Sequence, residues 1–247
     1  MPPPADSLFA LPAGPRFFAL VPCAGSGLRA GAIGASSGLA KQYQPVAGRP
    51  MVLHTLAAFA GVSRLAAALV VVAPGDCFFD SVRDPAFTVA DCGGSSRAAS
   101  VRRGLAALAG QGALADDWVL VHDAARCLIT SDQINRLIDA CQHDAVGGLL
   151  ALALPDTLKQ AAAGRAVSTL NRGDKWLAQT PQMFRHGLLV KALDAAGVDA
   201  VTDESGAVEA LGLQPLVVAG SAQNFKVTYP DDFALAEAVL RYRADHC

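Results

Sequence analysis

Residues 17–29 read FFALVPCAGSGLR, and this stretch decides the fold. From Phe17 to Val21 the run is apolar with no polar face, as a strand covered on both sides of its sheet requires. Pro22 ends it, and Cys23, Ala24, Gly25, Ser26 and Gly27 come at once after it. Small residues there let backbone N–H groups approach an anion closely. A ligand loop is thereby expected at the carboxyl end of a strand, which is where parallel sheets bind. The spacing is neither that of a P-loop nor a dinucleotide fingerprint with an acidic residue on the next strand.

Similar apolar runs recur outward from this one, at ALVVVA (68–73), WVLVH (118–122) and GGLLALAL (147–154). Between them lie helical spacings. Met51, Leu53, Leu56 and Phe59 share a face behind Pro50, as do Val101, Leu105 and Leu108, and Ile134, Leu137, Ile138 and Cys141. Strands apolar on both faces alternating with such helices predict an α/β fold, a mostly parallel sheet with helices on both faces. The pattern breaks at about 155–175, where PDTLKQAAAGRAVSTLNRGDKW reads as a protruding β arm. With too little core to stand alone, that arm is expected to pack on a second copy of the chain. A helix is expected near Thr202, capped by its hydroxyl, with Asp203 and Glu204 suiting the positive end of its dipole. The last helix is expected from Pro230, with Phe233, Leu235, Ala236 and Leu240 turned to the core. Residues 1–15 read as a flexible tail and 16–247 as one domain.

Composition narrows the function. The 247 residues carry 20 basic and 22 acidic side chains, a formal charge of −2, with 52% hydrophobic and 17% charged residues. Apolar content of that size excludes general disorder, and the missing basic excess argues against coating nucleic acid or an anionic membrane. No apolar run approaches the ~20 residues of a membrane span. Six scattered cysteines without C-x-x-C or zinc-ligand spacing read as reduced thiols of a cytoplasmic protein.

Two cations lie downstream of the first glycines, Arg29 within the loop and Lys41 in KQY, and together they could neutralise charge on a phosphate under attack. The Gly- and Ser-rich stretch between them suits a lid. At the end of the WVLVH strand, Asp123 in VHDAAR is placed to hold a magnesium ion bridging phosphate oxygens, or else caps the next turn and pairs with Arg126. His122 reads as packing. In DCGGSSRAASV (91–101), a second glycine turn opens a helix, with hydroxyls and Arg97 available to a base or phosphates.

Together these residues resemble the 2-C-methyl-D-erythritol 4-phosphate cytidylyltransferase family of the non-mevalonate isoprenoid pathway. The likeness runs over 16–245 through PCAGSGLR, KQY, GGSSRAASV, VHDAAR, PDTLK, NRGDKWLAQTPQMF, TDESGAVE and NFKVTYPDD. The resemblance implies a Rossmann-like nucleotidyltransferase fold and transfer of CMP from CTP to the sugar phosphate, with release of pyrophosphate and with Mg2+ or another divalent cation. It implies that Ala24, Gly25 and Gly27 cradle the triphosphate and that Arg29 and Lys41 stabilise the pentacoordinate phosphorus. Gly94 and Ser100 fall where the family contacts cytosine, Asp123 at the metal position with Ala124 beside it in the nucleotide site. Thr157, Arg172, Thr180, Thr202 and Lys226 fall where it holds the sugar phosphate. A homodimer is implied, with Thr157 and Arg172 on an exchanged arm serving the partner's site.

The chain departs from the family in a longer loop between Arg29 and Lys41, in Ala40 for a usual proline, and in Ser95 and Gln223 at positions that are often acidic. A cytidylyltransferase for another polyol phosphate, such as ribitol 5-phosphate, would share the nucleotide half. A non-catalytic nucleotide-binding module would be expected to lose Arg29, Lys41, Asp123 and Lys226, all of which are present.

Overall fold

The computed structural model describes residues 14–25, 39–82, 84–197 and 201–246. Its strands are β1 (Phe17–Pro22), β2 (Pro45–Val46), β3 (Arg49–Pro50), β4 (Leu65–Val71), β5 (Thr88–Ala90), β6 (Trp118–Val121), β7 (Gly147–Ala153), β8 (Leu158–Ala162), β9 (Arg165–Leu170), β10 (Trp176–Arg185) and β11 (Leu216–Ala219). Its helices are α1 (Met51–Ala60), α2 (Arg97–Gly110), α3 (Ser131–Cys141), α4 (His186–Ala196), α5 (Glu204–Glu209) and α6 (Pro230–Asp245).

Seven strands form one sheet in the order β11-β7-β10-β6-β1-β4-β5. All its pairings are parallel except those of β10, which runs antiparallel to both β6 and β7. The fold is therefore the mostly parallel Rossmann-like sheet expected from the sequence, with one strand reversed.

Alternation along the strands divides the core in two. Phe18, Leu20, Leu69, Val71, Val119 and Val121 face α2, α4 and α5, while Ala19, Ala68, Trp118 and Leu120 face α1 and α3. The faces expected on α2 and α3 are those that are buried: Val101, Leu105 and Leu108, and Ile134, Leu137, Ile138 and Cys141, are all 0% exposed. On α1 Met51, Leu56 and Phe59 are buried as expected, but Leu53 is only partly so and Val52 takes the inward place. Ser96 and Thr130 cap α2 and α3 through their hydroxyls, each worth about 1 kcal/mol.

Some local expectations are corrected. The second strand spans Leu65–Val71, not 68–73. Asp203, not Thr202, caps α5, its carboxylate accepting from the Gly206 N–H at 3.0 Å. On α6, Ala236 is buried and Phe233 and Leu240 pack partly, but Leu235 is 54% exposed, and Val239 takes the inward position.

The arm forms a separate two-stranded sheet, β8 paired antiparallel with β9. It leaves the body after β7 and returns through β10. Because β6 and β7 both oppose β10, they end on the same side of the sheet, so the arm springs from the side where β6 delivers Asp123.

Candidate active site

The ends of β1 and β6, the start of α2 and the segment before α6 enclose a cavity of about 400 Å³. Its walls include Ala24, Gly25, Lys41, Gly94, Ser100, Asp123, Ala124 and Lys226, eight of the residues singled out in the sequence. Gly27 and Arg29 lie outside the described residues, as does most of the loop between Arg29 and Lys41.

Two glycines let the loops converge. A Cβ on Gly93 would come within 2.3 Å of the Ala24 Cβ and 2.7 Å of the Val72 carbonyl, so only glycine lets the second loop lie against the first. At Gly94 a Cβ would meet the Ala99 Cβ at 2.5 Å. Its N–H donates to the Ser100 hydroxyl at 3.0 Å, which ties the loop to the first turn of α2. Ser95 also lines the cavity.

Asp123 sits where β6 ends. Arg97 donates through Nε to its Oδ1 at 2.6 Å and Lys226 through Nζ to its Oδ2 at 2.8 Å. The Arg126 Nε is farther off, at 3.9 Å, so pairing with Arg126 is secondary. The remaining guanidinium nitrogens of Arg97 grip both oxygens of Glu204, at 2.7 and 3.0 Å. Burial pushes the Asp123 carboxyl up, but Arg97 and Lys226 outweigh it and hold the acid well below the usual carboxylate range. A carboxylate that stays ionised next to two cations keeps the cavity floor in one charge state.

Beneath that floor runs a chain of hydrogen bonds. The Asp123 N–H donates to the Thr180 hydroxyl at 3.1 Å, and Thr180 lies 3.0 Å from Nδ1 of His122. The Nε2 of His122 is 3.2 Å from the Arg126 carbonyl. A carbonyl only accepts, so Nε2 carries the proton and Nδ1 accepts from Thr180. Burial lowers the imidazole to about 3, which keeps it neutral, and the ring packs on Phe59. Thr180, expected to touch the sugar phosphate, is thus engaged under the cavity.

The other expected acceptor residues stand elsewhere. Thr157 and Arg172 are exposed on the arm and Thr202 is exposed before α5, and none of the three lines the cavity. Gln223 accepts from Arg243 at 2.8 Å. Lys41 donates to the Val227 carbonyl at 2.6 Å, which ties the KQY turn to the segment that carries Lys226.

Sequence reasoning offers Arg97 to a base or phosphate, whereas the structure gives it to two carboxylates. It also reads Glu204 only as a helix-end charge. Glu204 is 1% exposed and buried together with Ser205, Ala207 and Val208, and an acid on that inward face needs a buried partner.

The profile of the family described as 2-C-methyl-D-erythritol 4-phosphate cytidylyltransferase matches residues 17–242, which takes in both strand ends and the whole cavity wall. The chain belongs to this family. It is 66% identical over 232 residues to the bifunctional enzyme IspD/IspF of Albidiferax ferrireducens, covering 93% of this chain but spanning only about half, 54%, of that protein. It is 53% identical to the 2-C-methyl-D-erythritol 4-phosphate cytidylyltransferase of Ralstonia nicotianae, with 92% of each chain covered. A crystal structure of a 4-diphosphocytidyl-2C-methyl-D-erythritol synthase superimposes with a TM-score of 0.80 at 39% identity, over 92% of this chain and 98% of that one. The Francisella tularensis cytidylyltransferase of the same family gives 0.76 at 32% identity, over 90% and 99%.

Proposed function

We propose that this chain transfers CMP from CTP to 2-C-methyl-D-erythritol 4-phosphate, giving 4-CDP-2-C-methyl-D-erythritol and pyrophosphate. The observation that carries the reading is the meeting of two glycine loops with Lys41, Asp123 and Lys226 at one end of the sheet, in a chain of this family. An oxygen of the acceptor phosphate attacks the α-phosphorus of CTP, and the bond to pyrophosphate breaks. The nucleophile is already ionised, so no general base is needed and the barrier is mainly repulsion between anions. Lys41, and Arg29 from the loop beyond Gly25, would neutralise charge as it develops on the phosphorus. Lys226 would release Asp123 to meet the acceptor phosphate.

Asp123 is the acidic side chain on the cavity wall, and magnesium commonly takes one or two carboxylates and completes its shell with phosphate oxygens. Its carboxylate chemistry fits the ion, and Asp123 is the residue that would hold it if Lys226 gave up the oxygen it now pairs with. When bound it would supply positive charge that offsets the charge of the phosphates.

We further propose a homodimer formed through the arm. On and beside it Val167, Leu170, Trp176 and Leu177 are 40–63% exposed, which is apolar surface that a partner subunit would cover. Thr157 and Arg172 would then reach the partner's cavity. No helix among the described residues is long and apolar enough to cross a membrane, and we place the enzyme in the cytoplasm.

The test is pyrophosphate release with CTP and magnesium, offering methylerythritol phosphate, ribitol 5-phosphate or no acceptor in parallel. Release only with methylerythritol phosphate is expected. Preference for ribitol 5-phosphate would overturn the acceptor assignment and leave the nucleotide half standing, and silence with every acceptor would overturn the reaction.

A further inference from the structure

Between Lys41 and Tyr43 stands a residue to which the reaction itself gives no role. Gln42 is 7% exposed, and its side-chain amide donates twice, to the Cys23 carbonyl at 2.8 Å and to the Gly25 carbonyl at 3.0 Å. Both carbonyls belong to the loop at the end of β1. The residue is itself fixed from both sides. Lys41 reaches the Val227 carbonyl, and the Tyr43 ring stacks on Phe78 at 3.8 Å between centroids while its hydroxyl donates to Asp76 at 2.7 Å.

In a trans peptide the C=O and N–H point in opposite directions. A carbonyl held at the Cys23 position therefore turns the N–H of the same peptide, that of Ala24, away from Gln42. Among the described residues no backbone hydrogen bond takes up that N–H, while the neighbouring Cys23 N–H is spent on the Val71 carbonyl at 2.7 Å. Nothing in a loop of small residues fixes its peptides by itself, since such residues rotate at little cost. A flipped peptide would aim a carbonyl oxygen, with its partial negative charge, at whatever anion the loop receives.

We propose that Gln42 is a positioning residue for the triphosphate: its amide holds the Cys23 and Gly25 carbonyls so that the Ala24 N–H, and not a carbonyl oxygen, is offered to the β and γ phosphates of CTP. The inference rests on the reading of this cavity as a CTP site. Gln42 lines the cavity beside Lys41, but its amide nitrogen is spent on the two carbonyls and not on a ligand. The amide acts through the backbone it holds, so its influence falls on the polyphosphate and leaves the cytosine loop at Gly94 and Ser100 alone.

Two substitutions separate this from ordinary packing. Gln42→Met keeps the volume and removes the donor; Gln42→Asn keeps the amide one methylene too short to span both carbonyls. Binding of CTP, pyrophosphate and CMP to the full-length protein would be measured by calorimetry, with urea unfolding as the check on the fold. Two lost hydrogen bonds are together worth about a tenfold change or somewhat more. Both variants should therefore bind CTP and pyrophosphate about tenfold more weakly, and CMP within about twofold of the parent. The acceptor KM should stay unchanged. Equal weakening toward all three ligands would show a merely structural role, and unchanged affinity for CTP and pyrophosphate would show no role; either overturns the inference. A parent protein that binds none of the three overturns the CTP reading and the inference with it.

Discussion

Strands β6 and β7 of one sheet end on the same side, yet the chain leaves them in opposite directions. After β6 it turns inward: Asp123 is gripped by Arg97 and Lys226, its N–H is held by Thr180, and Thr180 is backed by His122. After β7 it turns outward into an arm on which every residue from 159 to 178 is exposed. The first region has its geometry imposed by the core of its own chain, since each polar group there is held by elements far apart in sequence. The second has one ladder of backbone hydrogen bonds and a few surface contacts, such as that of Lys159 with Thr169. Among the described residues, the core thus fixes the cavity floor, while Thr157 and Arg172 stand outside the cavity wall.

This contrast is broken most directly at Arg97. Removing it leaves Glu204, 1% exposed, without the guanidinium that grips both its oxygens, and strips one of two close cations from Asp123. Breaking a buried pair from one side costs about 3–5 kcal/mol. Arg97→Ala should lose that much in urea unfolding, and Arg97→Lys should recover little of it, because a single ammonium cannot replace the fork. A loss under about 1 kcal/mol would mean that the cluster does not hold the strand end together. Lys41→Ala comes next. If Lys41 acts as proposed, its charge is needed most as the phosphorus becomes pentacoordinate, so turnover should fall about 100- to 1000-fold while CTP affinity changes little. Steady-state kinetics beside direct CTP binding would show it, and near-normal turnover would remove Lys41 from the chemistry.

The same contrast explains what is legible in the sequence. β1, β6, β7 and helices α1 to α3 can be read there because their patterns come from burial on two faces or one, and those patterns are local. β10 carries no such pattern. Its stretch WLAQTPQMFR holds two glutamines and a proline, and its register with β7 shifts between Ala178 and Gln182. The glutamines are buried because distant groups satisfy them, Gln179 donating to the Ser221 carbonyl and Gln182 to Asp203. The site divides in the same way. Glycine loops, a strand-end acid and nearby cations announce themselves in short motifs. The grip of Arg97 on Glu204 spans 107 positions and that of Gln42 on two backbone carbonyls involves no side-chain partner, so neither leaves a spacing to recognise.

The arm gives the smallest effect and the sharpest test of the comparison. Arg172 is exposed, and surface substitutions of this kind change stability by at most about 0.5 kcal/mol. Arg172→Ala should leave the urea midpoint and CTP affinity where they are. If the arm completes a neighbouring subunit's site, however, the acceptor KM should rise about tenfold, the worth of one charged contact to a phosphate. Mixing then separates reach from mere proximity. With acceptor well below its KM, Arg172→Ala chains combined with Lys41→Ala chains should regain activity above either variant alone, because a mixed dimer has one cavity with an intact Lys41 served by an intact Arg172. No gain on mixing would place Arg172 with the cavity of its own chain, and the two strand ends would then differ in exposure but not in which subunit they serve.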